Sequence, residues 1–162
     1  MIARVISFVL LLAATAASAK EQTVTISDHG TAVATLSVPA DAKITTIEGK
    51  TVVDTKELTL YVWVVAKAKT VADAVPLVGE VIKSEFKDFK VDQTKTLTVA
   101  EAQARHLMGR GKEADDNDPG SADVVLFAVG KTVLAACVHG EDQAAPHQRP
   151  AMLAVLKTVK AP

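Results

Sequence analysis

The sequence predicts an α+β protein with a central, mainly antiparallel twisted sheet of about six to seven strands, flanked by two main helices. Most of the chain alternates apolar and polar residues with a period of two, which is typical of strands. Two segments instead repeat apolar residues with a period near 3.6, which is typical of helices. The resulting order of strands, helix, strands and helix favours helices that cover the faces of one sheet.

Residues 122–141, ADVVLFAVGKTVLAACVHGE, predict the centre of the sheet. Residues 124–129 and 133–138 are apolar at every position, so both faces of these two strands need a cover. Gly130-Lys131 between them suits a type II′ turn, because the first central residue of that turn needs positive φ. We therefore expect an antiparallel hairpin in the middle of the sheet.

Earlier segments of the chain predict two further hairpins and a third central strand. They are residues 23–26 with 31–38, residues 43–48 with 51–54, and residues 57–66. The second hairpin, turning at Gly49-Lys50, is the more polar and is expected at a sheet edge, whereas residues 57–66 are apolar on both sides. Residues 90–99 and 102–112 add two later strands, the second curved by Gly109 and Gly111.

Two helices are predicted from their apolar stripes. The residues of the first stripe are Val71, Val75, Val78, Ile82, Phe86 and Phe89, and those of the second are Met152, Val155, Leu156 and Val159. Pro76 places the start of the first helix near Asp73, with Thr70 as an alternative cap and a kink. Pro146 and Pro150 mark the start of the second helix.

The first nineteen residues predict an export signal. Arg4 precedes an apolar run at residues 5–12, and Ala17-Ser18-Ala19 forms an A-x-A cleavage site. The run is too short to span a bilayer, so no stable membrane insertion is expected after cleavage. The mature chain would be one soluble domain over residues 20–162, in the periplasm or, alternatively, secreted.

Composition excludes several classes of function. Removing Arg4 with the signal changes the formal net charge from −1 to −2, which gives no basis for binding nucleic acid. Aromatic residues make up 4% of the chain, too few for platforms on which bases or sugars stack. Cys137 is the only cysteine, which excludes an internal disulfide, and its apolar neighbours predict a buried, inert thiol.

The layout resembles the Mog1/PsbP-like fold, an α/β/α sandwich. The resemblance rests on the long helix after the first strands, the strand with Gly109 and Gly111, the loop before residues 122–141, and the final helix ending in MLAVLKTV. It implies the fold for all of the mature chain. The family includes photosystem accessory proteins, Ran-binding proteins and small exported bacterial domains of unknown function, but no motif here transfers either specific role.

Two groups of polar residues are candidate sites. Asp115, Asp116 and Asp118 lie in an acidic loop that could bind calcium, although the EF-hand spacing is not met and a solvated turn is the alternative. His106, His139 and Glu141 could ligate zinc, or the histidines could simply be hydrogen-bonded at strand ends.

Basic residues and the remaining chemistry favour binding over catalysis. Arg110, with Arg105 and Lys112, could form a small patch for a partner or an anionic ligand. No nucleophile or phosphate-binding motif is present, and no cofactor is expected. The sequence thus favours an exported binding or accessory domain that engages a protein partner or small ligand. A metal-dependent hydrolase using His106, His139 and Glu141 is the alternative, and a homodimer is a third possibility.

Overall fold

The computed structural model describes residues 20–162, so the predicted signal at residues 1–19 lies outside the described part of the chain. The elements are β1 (Glu21–Asp28), β2 (Thr31–Pro39), β3 (Lys43–Ile47), β4 (Lys50–Asp54), β5 (Thr59–Val64), α1 (Val71–Glu85), β6 (Phe86–Val99), β7 (Ala102–Glu113), β8 (Pro119–Val129), β9 (Thr132–Glu141) and α2 (Ala144–Leu156). None of the helices over residues 20–162 is both long and apolar enough to cross a membrane.

Strands β3 to β9 form one seven-stranded sheet in the order β3-β4-β5-β9-β8-β7-β6. Every neighbouring pair in this sheet is antiparallel. Strands β1 and β2 form a separate antiparallel pair. The predicted α+β class and the strand number of the central sheet are therefore confirmed.

The hairpin of β8 and β9 lies at the centre of this sheet, with β9 as the middle strand. Val129 pairs with Thr132 across the two-residue loop, and Gly130 has a φ of +59°. Glycine tolerates that angle because it has no Cβ. Nine of the eleven residues of β8 and six of the ten residues of β9 are buried, since each face of the sheet has its own core.

We call the two faces of the sheet the α1 face and the α2 face, after the helix that packs on each. Val124 and Cys137 belong to the core on the α1 face, whereas Val125 and Ala136, one position away, belong to the core on the α2 face. The β1–β2 hairpin also packs on the α2 face, where residues such as Leu36 share the core. Within residues 20–162, two elements thus cover the α2 face and one helix packs on the α1 face.

The start of α1 differs from the predicted start near Asp73. The helix begins at Val71, because Thr70 and Asp73 form a capping box in which each side chain accepts a hydrogen bond from the other residue's backbone N–H, at 3.1 and 2.9 Å. The alternative cap at Thr70 is the correct one, and Pro76 lies inside the helix. The helix also ends earlier than its predicted stripe, since Phe86 and Phe89 belong to β6.

The second helix and the glycine-containing strand also differ in detail from their predictions. Helix α2 begins at Ala144, so Pro150 lies inside it rather than at its start. Gly109 lies against the ring of Phe89, where an added Cβ would come within 2.5 Å of Cζ. The register shifts lie in β6, so the glycine of β7 makes room for an irregular neighbouring strand.

Candidate functional site

Helix α1 covers only part of its face. Its main contacts are with β6, β7, β8 and β9, so the α1 face of β3, β4 and β5 lies beside the helix rather than under it, although Val52 of β4 is still only 4% exposed. We call the side chains along this edge of the helix the open surface, of which one is exposed and four are half-buried. They are Ile47 of β3, Lys50 of β4, Tyr61 and Trp63 of β5, and His139 of β9.

Aromatic side chains dominate the open surface. Tyr61 and Trp63 are the only tyrosine and the only tryptophan of the chain, and both are half-buried. The ring of His139 stacks on Tyr61 with centroids 5.0 Å apart and an interplanar angle of 26°. Ile47 beside them is 52% exposed. A chain poor in aromatic residues therefore places its two largest amphipathic side chains together at the edge of the core on the α1 face.

The electrostatics of the open surface leave it with little net charge. Lys50 Nζ lies 5.6 Å from the centroid of the Trp63 ring and 3.9 Å from Glu85 Oε1. Burial lowers the pKa of His139, so its ring is neutral at pH 7. Burial, followed by the nearby Glu85 carboxylate, raises the pKa of Tyr61, which keeps its hydroxyl protonated.

A cavity of about 210 Å³ opens between these strands and the C-terminal part of α1. Val81, Ile82 and Glu85 of the helix line one side, and the five residues of the open surface line the other. Cys137 lies at its base, where burial raises the pKa of the thiol to about 12. The thiol is therefore inert, as predicted from its apolar neighbours.

A buried ionic network occupies the α2 face. Asp123 of β8 is 1% exposed and His106 of β7 is 2% exposed. Asp123 Oδ2 accepts a hydrogen bond from His106 Nε2 at 3.0 Å and another from Arg149 Nε, while Oδ1 accepts from Arg149 Nη2 at 3.1 Å. Burial alone would raise the pKa of Asp123, but the hydrogen bonds from His106 and Arg149 outweigh it, and the pKa lies below its ordinary value. The network joins α2 to the sheet.

The predicted basic patch is split by the sheet. Arg110 faces the α2 side, where its Nε donates to Asp92 Oδ2 at 2.8 Å, whereas Arg105, an odd number of residues away on the same strand, faces the α1 side. A cavity of about 260 Å³ beside Arg110 and Arg149 is also lined by Asp92, Asp123 and Asp142. These carboxylates offset both guanidinium groups, so the cavity is not a cationic site.

The three residues of the predicted metal site do not come together. His106 faces the α2 side of the sheet, beside Asp123, whereas His139 faces the α1 side, beside Tyr61. Glu141 lies near the end of β9 with Glu113 and Asp116. No single pocket can therefore contain both histidines.

Of the three predicted calcium ligands in the acidic loop, only Asp116 belongs to a cluster of carboxylates, and its neighbours there are Glu113 and Glu141. Asp115, Asp116 and Asp118 are exposed, and Asp116 Oδ1 accepts a hydrogen bond from the backbone N–H of Asp118 at 3.0 Å. One carboxylate oxygen from each of Glu113, Asp116 and Glu141 lies within 4.8 Å of the others. Burial and the neighbouring carboxylates raise the pKa of Glu113. Calcium binding at this loop stays a prediction.

Sequence reasoning missed the importance of Asp123, Arg149, Tyr61 and Trp63. A signal for Asp123 was present, because a carboxylate inside an apolar strand has to be paired. Nothing in the sequence indicated that Arg149 would be its partner, 26 residues away. The aromatic pair was read as strand core, since the pattern alone does not show which part of a face stays uncovered.

Comparison with known proteins supports the fold. The chain matches no protein-family model and no curated protein in sequence. Among solved structures it is similar to the Ran-binding protein Mog1p of Saccharomyces cerevisiae, with a TM-score of 0.55 and 12% identity, covering 89% of this chain and 96% of Mog1p. It is similar to the cyanobacterial PsbP of Synechocystis sp. PCC 6803, with a TM-score of 0.57, 11% identity and coverage of 91% and 96%.

A third similar structure is LpqN of Mycobacterium tuberculosis, which is involved in cell envelope biogenesis. The TM-score is 0.50 at 14% identity, over 88% of this chain and 91% of LpqN. At these identities the similarity concerns the arrangement of the chain and carries no residue roles. The chain has the Mog1/PsbP-like fold.

Proposed function

We propose that the chain is an exported, soluble binding or accessory domain that engages a protein partner through the open surface, without catalysing a reaction. The observation that carries the proposal is the position of Tyr61 and Trp63. The only tyrosine and tryptophan of the chain lie half-buried together beside α1, where they line a cavity that opens between the helix and the sheet. Tyrosine and tryptophan are enriched where protein interfaces gain most of their binding energy.

The size of the cavity favours a protein partner over a small ligand. Small-molecule sites usually enclose about 300 to 1,000 Å³. The cavity beside Tyr61 and Trp63 is about 210 Å³, which suits one large side chain inserted by a partner. Such an anchor, surrounded by weaker contacts, is the usual arrangement at a binding hot spot.

The charges around the cavity define the chemistry of that anchor. Lys50 and Glu85 lie close enough to offset one another, and His139 is neutral because burial lowers its pKa. The ring faces of Tyr61 and Trp63 would be desolvated by an apolar or aromatic group. We therefore infer an aromatic or large aliphatic side chain, rather than a charged one, as the part of the partner that enters the cavity.

The similar structures are compatible with this function. Mog1p is a Ran-binding protein, so the fold supports protein recognition in at least that case. LpqN is involved in cell envelope biogenesis, which is compatible with the proposed export to the periplasm, with secretion as the alternative. The hydrolase alternative gains no support from the geometry, because His106 and His139 face opposite sides of the sheet.

Site-specific photocrosslinking in cells tests the proposal. A photoreactive phenylalanine analogue replaces Tyr61 in one variant and Val91, which is 49% exposed on β6, in a control variant. We expect a discrete adduct with one protein at position 61 and none at position 91. The adduct should disappear when Trp63→Ala is added, because the surface then loses the only tryptophan ring of the chain.

The captured protein is then purified and titrated against the wild-type chain. Trp63 is the only tryptophan of the chain, so its fluorescence reports directly on the open surface. We expect its emission to shift to the blue on binding. The same titration with Trp63→Phe gives the signal of the partner alone, which is subtracted. Equal adducts at positions 61 and 91, or adducts unaffected by Trp63→Ala, would reject the open surface as the binding site.

A further inference from the structure

The central sheet ends in two edge strands that are protected to very different degrees. Strand β6 carries Lys87, Lys90 and Lys95, and its pairing with β7 shifts register between Lys87 and Lys90 and again between Val91 and Gln93. Lysines and irregular pairing are devices that keep an edge from pairing further. Strand β3 has one charged residue, Lys43, no proline and an uninterrupted register with β4. Strand β3 is therefore the edge that is free to pair.

The turn after β3 determines which of its backbone groups face outward. Glu48 and Gly49 both have positive φ, at 49° and 77°, as in a two-residue type I′ turn, so Ile47 and Lys50 exchange hydrogen bonds. Hydrogen-bonded positions alternate along an antiparallel strand. The N–H and C=O groups of Ile44 and Thr46 therefore point away from β4, and no backbone group of residues 20–162 outside β4 bonds to β3.

Two apolar side chains mark the same edge, one on each face. Ile44 and Ile47 are 36% and 52% exposed, and they are two of the four exposed large apolar side chains in the described chain. They are three residues apart on a strand, so they point to opposite faces. An element docked on either face would cover only one of them, whereas a strand added in the plane of the sheet would contact both.

We propose that β3 pairs antiparallel with β3 of a second copy of this chain, about a two-fold axis at Thr45 perpendicular to the sheet. Thr45 is the middle residue of Lys43–Ile47, so this register pairs the whole strand. It places Ile44 opposite Thr46 of the second copy, which satisfies every outward N–H and C=O group of both strands. Pairing in this register is isologous, as in most closed dimers.

Side chains are compatible with the same register. Lys43 lies opposite Ile47 of the second copy, so the two lysines never face one another and their alkyl stems cover the exposed isoleucines. The two Ile44 side chains become diagonal neighbours across the axis, within contact range. An edge of unrelated sequence would have to match this pattern by chance, whereas β3 matches itself, and this favours a second copy as the occupant.

The pairing would extend the sheet and cover Ile47, but it would leave the other four residues of the open surface accessible. An axis perpendicular to the sheet keeps the α1 faces of both copies on one side. The two open surfaces would then lie side by side on a continuous sheet. If the proposed function holds, a partner with two anchors gains affinity from both surfaces through effective concentration.

Disulfide trapping tests the two-fold register directly. Thr45 opposes its own copy at a position without hydrogen bonds, where the Cα atoms would be about 4.5 Å apart, which is inside the range of a disulfide. We expect Thr45→Cys to form a covalent dimer on mild oxidation. The control Val91→Cys, 49% exposed on the other edge, should stay monomeric, and the buried Cys137 should not react in either variant.

Sedimentation velocity over a concentration series tests the pairing without a covalent bond. Ile44→Lys brings two charges together at the axis, and Thr46→Pro removes an outward N–H without removing a bond to β4. We expect each to raise the dimer Kd about tenfold or more, and Val91→Lys to leave it unchanged, with circular dichroism confirming that all variants are folded. A monomeric wild type, a dimer that persists in both β3 variants, or equal crosslinking of the two cysteine variants would overturn the proposal.

Discussion

Replacing Asp123 by asparagine removes the charge at the centre of the buried network while nearly preserving the shape of the side chain. Asp123 is 1% exposed and accepts hydrogen bonds from both His106 and Arg149. An asparagine would offer one acceptor oxygen, and its NH₂ group would face the donors of Arg149 or His106. The change therefore leaves a guanidinium without its anion in the interface between α2 and the sheet.

The expected cost follows from burial and geometry. Breaking a buried pair by removing one partner costs about 3 to 5 kcal/mol. The Arg149 side chain keeps 32% of its exposure and can recover some hydration, so we expect the lower end, about 3 kcal/mol. For a domain of this size, that corresponds to a decrease in Tm on the order of 10 °C.

A second carboxylate paired with arginine provides the matched control. Asp92 accepts a hydrogen bond from Arg110 at 2.8 Å, but the two side chains are 46% and 68% exposed. Exposed pairs are worth about 0 to 1 kcal/mol, so Asp92→Asn should change the free energy of unfolding little. Urea unfolding followed by circular dichroism gives both values, and equal m-values confirm that the unfolded states are comparable.

The pH dependence separates a loss of charge from a loss of packing. The pKa of Asp123 is lowered in the folded state, so the stability that its charge contributes is present above the unfolded pKa of about 3.9. It is lost as pH falls through that value toward the folded pKa. The difference between wild type and Asp123→Asn should therefore be large at pH 7 and shrink in acid. A cost for Asp123→Asn no greater than for Asp92→Asn, or one independent of pH, would refute the network as an anchor of α2.

Three further predictions follow from single residues. Burial and nearby carboxylates raise the pKa of Glu113, so its charge destabilises the fold above its unfolded pKa; Glu113→Gln should raise Tm at pH 7 and have little effect near pH 4, as thermal melts at both pH values would show. Gly109→Ala should lower the free energy of unfolding by about 1 to 3 kcal/mol, because the added methyl group overpacks against Phe89. Gly79→Ala in α1 should raise it, because an added Cβ there has nothing within 4 Å and alanine favours the helix. Urea unfolding of both variants measures these changes. Expression of the full chain in a bacterium should yield a periplasmic product whose N-terminus, by mass spectrometry, is Lys20, and an uncleaved or cytoplasmic product would remove the basis for export.

The hairpins were predictable because their information is local, whereas the pairing of β5 with β9, which joins distant parts of the chain, was not predicted. The polar residues of the β3–β4 hairpin correctly predicted its place at an edge of the sheet. The apolar residues of the β8–β9 hairpin correctly predicted its place in the middle. The preferred start of α1 near Asp73 is wrong and the alternative cap at Thr70 is right, because the capping box of Thr70 and Asp73 satisfies the first backbone N–H groups while Pro76 lies inside the helix. Phe86 and Phe89 fitted a helical stripe equally well, since periodicity alone does not show where a helix passes directly into a strand.

The candidate sites were less predictable because they depend on register between strands. His106 pairs with Val125 and His139 pairs with Ala122, so an odd offset along β8 puts the two histidines on opposite faces. That offset is set by the lengths and turns of three strands together, and no local pattern encodes it. Asp123 was the readable exception, since a single carboxylate among apolar strand residues implies a buried partner even when the partner cannot be named.

The open surface has a geometric cause. Seven strands about 4.8 Å apart span about 29 Å, whereas a helix is about 10 Å wide, and the main contacts of α1 stop at β6, β7, β8 and β9. Within residues 20–162, α2 and the β1–β2 hairpin both pack on the α2 face, whereas α1 is the one helix that packs on the α1 face. In the described part of the chain, Tyr61 and Trp63 therefore lie beside α1 rather than under it and stay half-buried. Pairing through β3 would widen the sheet without placing an element over Tyr61 and Trp63. A dimer would therefore still present the tyrosine and tryptophan of both copies to a partner.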